Sequence, residues 1–346
     1  MKPVTVTEQL ESRLPQSENG YCSRLPQIVK LDETAVSETL TREVHNDHSD
    51  LGDFLTGHHL PPQYLDLARR WFLPLIDELA LQRRRAQRPL LIGINGSQGS
   101  GKTTLAALLR AIFESRFGLH TIDLSIDDFY LPRDQRLRLA EEVHPLFDTR
   151  GVPGTHDMPL MRKTLDALLH GEGPVPIPGF DKAMDDRVPE HRWHSVNAPL
   201  DMVILEGWCL GTRSQDEEEL VTPVNLLEAK EDPEVEWRRY INRQIIDHYQ
   251  PLYDQIDIWV MLEAPSFDCV YRWRLEQEKK LADSLADSEL SNRVMSPAEL
   301  ARFIQHYQRL TTHTLKMLPQ RVHYLFELDA ERNIHAATRP NKVELA

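Results

Sequence analysis

The sequence predicts an α/β fold with a doubly wound, mostly parallel sheet. From residue 89 onward, short apolar runs alternate with segments of helical period. The run in "PLDMVILEGW" is apolar throughout, as in a strand covered on both faces. A turn of Gly and Ser, residues 96–101, joins a buried strand directly to an apolar helix.

Residues 1–58 are polar, with scattered short apolar pieces and no strong period, and read as a loosely structured extension holding one or two short helices. From Pro61, Tyr64, Leu67, Trp71 and Leu75 recur three or four apart, predicting a helix that Pro74 kinks or restarts. Arg83, Arg84, Arg85 and Arg88 close it, as cations suit a helix C-terminus. Residues 90–95 then read as a strand, and 102–116 as a helix with Leu105, Leu108, Leu109 and Ile112 on one side. Residues 120–126 form the next strand. A long Pro- and Gly-rich region follows, broken by a helix at about 159–170. After the strand of "MVILEGW" come a helix over 236–249, a strand over 256–263 and helices over 267–285 and 297–318. "RVHYLFELDA" reads as the last strand.

Composition narrows the function. The net charge of −14 at pH 7 argues against general nucleic-acid or anionic-membrane partners, whose phosphates require Lys and Arg. Cys22, Cys209 and Cys269 lie far apart, so neither a disulfide framework nor a zinc site is expected. No apolar run is long enough to span a bilayer, and the first twenty residues lack a signal-peptide core. The expectation is a soluble cytoplasmic protein acting on a small molecule.

Gly96-Ser97-Gln98-Gly99-Ser100-Gly101-Lys102-Thr103 satisfies G-x-x-x-x-G-K-[ST], with Thr104 beside it. Glycines let successive backbone N–H groups turn inward around a phosphate. Lys102 brings positive charge to the β/γ oxygens of ATP, and the Thr103 hydroxyl can ligate Mg²⁺. The strand before and the helix after supply the context that the motif requires. Glu206 follows four apolar residues in "MVILEGW", a strand-end acid suited to Mg²⁺ or its water. In "LSIDDFYLPR", Asp127 and Asp128 emerge at the carboxyl edge of a strand, where open α/β sheets bind ligands. Adjacent side chains diverge, so one of them, Asp127 for preference, accepts the proton of an attacking hydroxyl.

The phosphate loop, "DDFY" and "ILEGW" together resemble the P-loop kinases that include uridine kinase, phosphoribulokinase and bacterial pantothenate kinase. "RGVPGTHD", "PGFDKAMDDR", "LEGWCLG" and "WRLEQE" are similar to the plant-type D-glycerate 3-kinase branch and its bacterial relatives, over roughly residues 60–335. The resemblance implies a P-loop NTPase kinase fold, with Asp127 as base and Glu206 as the acid of the hydrophobic-Glu-Gly strand. It divides the chain into the extension (1–58), a kinase domain (59–335) and a tail (336–346). Within the kinase domain, 131–197 is an insertion on the acceptor side, and 265–320 holds the lid and C-terminal helices.

A small hydroxy acid needs cations for its carboxylate, and Arg150, Lys182 and Arg187 are candidates. His156 and Asp157 can bind hydroxyls, and Asp128 and Tyr130 border the same pocket. Phe180, Tyr130 and Trp193 keep a nucleoside acceptor open. Asp157 equally fits an N-cap, and Arg150 a pair with Asp148. In the related kinases a lid arginine steadies the transferred phosphoryl group, a role open to Arg272 or Arg274. The expected activity is Mg²⁺- and ATP-dependent phosphorylation of a small alcohol, D-glycerate first. A nucleoside or pantothenate-like acceptor, or a partner-driven ATPase, remains as the alternative.

Overall fold

The computed structural model describes residues 47–285 and 295–340. The predicted extension over residues 1–46, Cys22 and the tail from 341 lie outside the described residues.

Six strands form the main sheet in the order β10-β9-β8-β1-β7-β2. They are β1 (Leu90–Gly96), β2 (Thr121–Ser125), β7 (Met202–Gly207), β8 (Ile258–Glu263), β9 (Tyr324–Leu328) and β10 (Ile334–Thr338). The insertion supplies two small antiparallel sheets. One pairs β3 (Gly173–Ile177) with β6 (His194–Ala198), the other β4 (Phe180–Asp181) with β5 (Asp186–Arg187). All pairings in the main sheet are parallel except that of β10 with β9. The fold is the doubly wound, mostly parallel α/β type that the alternating pattern predicts.

β1 and β7 are buried along their whole lengths because helices cover both faces. Alternate residues serve opposite cores: Ile92, Ile94 and Ile204 pack with the helix Lys102–Phe117, whereas Leu91, Val203 and Leu205 pack with the helix Met158–His170. The helix leading into β1 widens into a π-helical turn, Ala68–Phe72, before resuming as Leu73–Ala86. Pro74 stands just after that turn. It lacks the N–H that a regular ladder would use, and the wide turn takes up the mismatch.

Three features depart from the pattern. The helix Asp47–Gly57 is of the short kind expected within the extension, but Leu51 and Phe54 are buried in the main core, so this part is not loose. β10 crosses the boundary drawn at residue 335. Asp329 folds the chain back by accepting the Glu331 and Asn333 amides, and this turn returns β10 along the sheet edge. A helix, Arg133–Glu142, also opens the insertion.

Candidate active site

β1 delivers the phosphate loop at the carboxyl edge of the sheet. Gly99 and Gly101 have φ of +82° and +91°, a region L side chains rarely adopt. A Cβ on Gly99 would also come within 2.9 Å of the Trp273 Cβ, so the helix Phe267–Leu285 lies directly over the loop. The helix Lys102–Phe117 starts at Gly101 and turns its free N-terminal amides toward the loop. The Ser97 and Ser100 hydroxyls are buried there without a partner.

Register brings the acids to the loop. Glu206 on β7 pairs with Ile94 of β1 on one side and Ser125 of β2 on the other. Its Oε1 accepts the Thr103 hydroxyl at 2.8 Å, and Lys102 Nζ stands 3.7 Å from Oε2. β2 runs on into a short 3₁₀ turn, Ile126–Phe129, closed by a capping box. Asp128 Oδ2 accepts the Ser125 amide at 3.0 Å, so this side chain is spent on the turn. Burial, joined by the negative charges of Asp127 and Glu206, pushes Asp128 up to about 6.

Asp127 points the other way. Oδ1 accepts the Tyr130 hydroxyl at 2.9 Å, and Oδ2 pairs with Lys182 Nζ at 2.7 Å. Burial alone would raise its pKa. Lys182, Lys102 and the Tyr130 hydroxyl together outweigh that and hold the carboxyl below its ordinary value. Asp127 is therefore ionised, ready to accept a proton, and within electrostatic reach of the phosphate-loop lysine.

The predicted acceptor residues separate into tied and untied groups. Lys182, at the tip of the β4–β5 hairpin, has a side chain 62% exposed. Arg187 donates twice to the Tyr130 carbonyl, at 3.1 and 2.8 Å, and pairs with Asp157. Asp157 caps the helix Met158–His170 through the Leu160 amide. Arg150 pairs with Asp185 rather than Asp148 and lies over the Phe180 ring. His156 is buried, bonded to Tyr249 and stacked on Tyr130. Trp193 donates to the Val188 carbonyl.

Sequence reasoning missed Arg136, Asp185 and Tyr249. Arg136 is buried, pairs with Asp185 and donates to the Asp148 carbonyl. Two arginines thus converge on one aspartate at the hairpin tip. No local spacing signals a meeting of residues 136, 150 and 185.

On the helix Phe267–Leu285, Arg272 and Arg274 flank Trp273. Arg274 pairs with the buried Glu278 at 2.9 Å and acts electrostatically on Tyr307, which donates to the Arg150 carbonyl. Arg272 is exposed and reaches Cys269 Sγ at 3.0 Å. Arg274 thus lies within electrostatic reach of Tyr307, whereas Arg272 turns to Cys269. Beside the loop a cavity of about 560 Å³ is walled by Gly99–Thr104, Gln277 and Arg332, with Tyr64, Phe72, Leu328 and Ile334 as its apolar side. Its size and mixed lining suit a nucleoside.

Among the described residues no group of three or more His, Cys, Asp or Glu forms a metal cage. Mg²⁺ at a nucleotide needs none, since phosphates and water complete its shell around one or two protein oxygens. Thr103 and Glu206 fit that requirement, and Glu206 Oε2 is buried with no hydrogen-bond partner. Cys209 and Cys269 are both free and buried. Among the described residues no helix is long and apolar enough to cross a membrane.

No family model matches the chain. It is 34% identical over 263 residues to the uncharacterized kinase mug58 of Schizosaccharomyces pombe, covering 72% of this chain and 89% of that protein. It is 31% identical over 245 residues to the chloroplastic D-glycerate 3-kinase of Arabidopsis thaliana, covering 67% of this chain and 50% of that protein. Among solved structures, a D-glycerate 3-kinase from Cryptococcus neoformans superposes with a TM-score of 0.61 at 24% identity, across 76% of this chain and 98% of that one. At that identity the superposition speaks to the fold.

Proposed function

The chain belongs to the family of P-loop small-molecule kinases related to the glycerate, uridine and pantothenate kinases, which are ATP-dependent phosphotransferases, and on that premise we propose that it phosphorylates D-glycerate. Lys102 and the loop amides hold the ATP phosphates, and Thr103 and Glu206 take Mg²⁺. A Mg²⁺ ion held there supplies positive charge against the β- and γ-phosphates. Asp127 accepts the proton of the acceptor hydroxyl as that oxygen bonds to the γ-phosphorus and the bond to the β-phosphate oxygen breaks. Arg274 is the lid arginine that offsets charge on the moving phosphoryl group.

The observation that carries the acceptor is the ion pair of Asp127 with Lys182 at 2.7 Å. Arg150 and Arg187 are anchored to Asp185, Asp157 and the Tyr130 carbonyl, whereas Lys182 stands on an exposed hairpin with Asp127 as its partner. A carboxylate on the acceptor can draw Lys182 from Asp127, freeing the base for a hydroxyl of the same molecule. An α-hydroxy acid of three carbons meets this demand, and the likeness to the Arabidopsis enzyme supports the choice. Of the rings that keep a nucleoside acceptor open, Tyr130 is already stacked on His156 and met edge-on by Phe180, which leaves Trp193.

The test is ADP release from Mg-ATP with D-glycerate, glycerol, pantothenate, uridine or no acceptor. Turnover on D-glycerate that weakens selectively in Lys182→Met, relative to the neutral alcohols, is expected. Turnover confined to uridine or pantothenate moves the acceptor assignment. Release that ignores every acceptor points instead to a partner-driven ATPase.

A further inference from the structure

We infer that Tyr130, seated by His156 and Tyr249, is a positioning residue for Asp127 and not a contact for the acceptor; this rests on the reading of Asp127 as the base. The two oxygens of Asp127 are held differently. Oδ2 meets Lys182, whose side chain is exposed, while Oδ1 accepts the Tyr130 hydroxyl at 2.9 Å from within the protein. Tyr130 itself is 4% exposed. Its ring stacks on His156, with centroids 4.6 Å apart and planes 24° apart, and meets Phe180 edge-on at 5.1 Å. Its backbone bridges to His156, and Arg187 grips its carbonyl with two donors. No freedom is left for this ring to follow a substrate.

Beneath it, His156 Nδ1 lies 2.6 Å from the Tyr249 hydroxyl, which also accepts the Gly154 amide at 3.3 Å. Whichever of His156 and Tyr249 is the donor, this bond ties the buried imidazole to Tyr249. Nε2 is buried without a partner. Burial also draws the His156 pKa down to about 4 and raises that of Tyr130, so the column stays uncharged while Tyr130 remains a donor. Since the fixed donor occupies Oδ1, Oδ2 is the oxygen that takes the acceptor proton once Lys182 moves.

The experiment is single-turnover phosphoryl transfer with Mg-ATP and the acceptor that turns over in the wild type, D-glycerate by the reading above. Tyr130→Phe keeps the ring and its stack and removes one hydroxyl. The transfer rate is expected to fall about ten- to hundredfold, with the acceptor KM within about twofold of wild type and ATP affinity unchanged. Tyr249→Phe should lower the same rate by a smaller factor. A raised acceptor KM at an intact transfer rate would make Tyr130 an acceptor contact and overturn the inference. So would wild-type values of both constants in Tyr130→Phe. Asp127→Asn, run alongside, separates the failures: full activity there removes the base itself, whereas an inactive Asp127→Asn beside a normal Tyr130→Phe removes only the role of Tyr130.

Discussion

Gly207→Ala tests how Asp127 is held without touching Asp127. Gly207 follows Glu206 at the end of β7, opposite Asn95 of β1. A Cβ there would lie 2.5 Å from Ile126 Cγ2 and 3.2 Å from Ile126 Cβ, where ordinary contact begins at 3.4 Å. Ile126 is fully buried and opens the turn that carries Asp127. It must withdraw by about 1 Å, taking the turn with it. Overpacking of this kind costs about 1–3 kcal/mol of stability, and a misplacement near 1 Å costs on the order of 100-fold in rate. ATP affinity should change far less, because Lys102 and the loop amides hang from β1. The assay is steady-state kcat with ATP titration, beside urea denaturation. Ile126→Ala in the same chain removes Cγ2 and should recover part of the lost kcat. Wild-type kcat in a destabilised Gly207→Ala, or a double variant no faster than the single one, would refute the reasoning.

Other consequences follow from buried charge. Glu228 is fully buried, takes two bonds from Arg309 at 2.8 and 2.7 Å, and lies 3.7 Å from Arg238. Arg238 keeps Asp232 at 2.8 Å, but Glu228→Ala leaves the buried Arg309 guanidinium without its carboxylate and should cost about 3–5 kcal/mol in urea denaturation; a loss below about 1 kcal/mol contradicts the network. Asp128 has a pKa raised to about 6 from an ordinary 3.8. Between those values the folded state binds more protons than the unfolded, so this group's contribution falls as pH rises through the window. Asp128→Asn should flatten that fall and gain up to about 2–3 kcal/mol at neutral pH, read from metal-free urea curves at pH 4, 6 and 8; an unchanged slope contradicts the shift. Glu206→Gln keeps an acceptor for Thr103 but removes the negative charge facing Mg²⁺. The Mg²⁺ dependence of ATP binding should weaken about tenfold, measured calorimetrically, and an unchanged dependence excludes Glu206 from the metal site.

What could be read from the sequence was local. The phosphate loop is one continuous segment whose glycines announce the turn. Glu206 stands out as the single ionisable residue at the end of an apolar run, and the alternation of strands and helices is short-range patterning. What could not be read depends on distant meetings or on broken rules. Pro174 and Pro176 argue against a strand, yet β3 pairs with β6, its prolines being tolerated at the border of a two-stranded ribbon. Arg150 finds Asp185 across 35 residues, while the nearer Asp148 offers Arg136 its carbonyl. Asp128 differs from Asp127 only through the capping box that turns it inward. The sequence leaves His156 open between a hydroxyl binder and a structural residue, because nothing local reveals Tyr249, 93 residues on, beneath it.

The most direct measurement is ³¹P NMR of ATP with D-glycerate and Mg²⁺, for wild type and Asp127→Asn. The account predicts a new phosphomonoester signal that grows with ADP in the wild type and falls by about 10²–10⁴-fold in rate in the variant, at matched ATP affinity. ADP appearing with inorganic phosphate alone, at the same rate in both proteins, would contradict it.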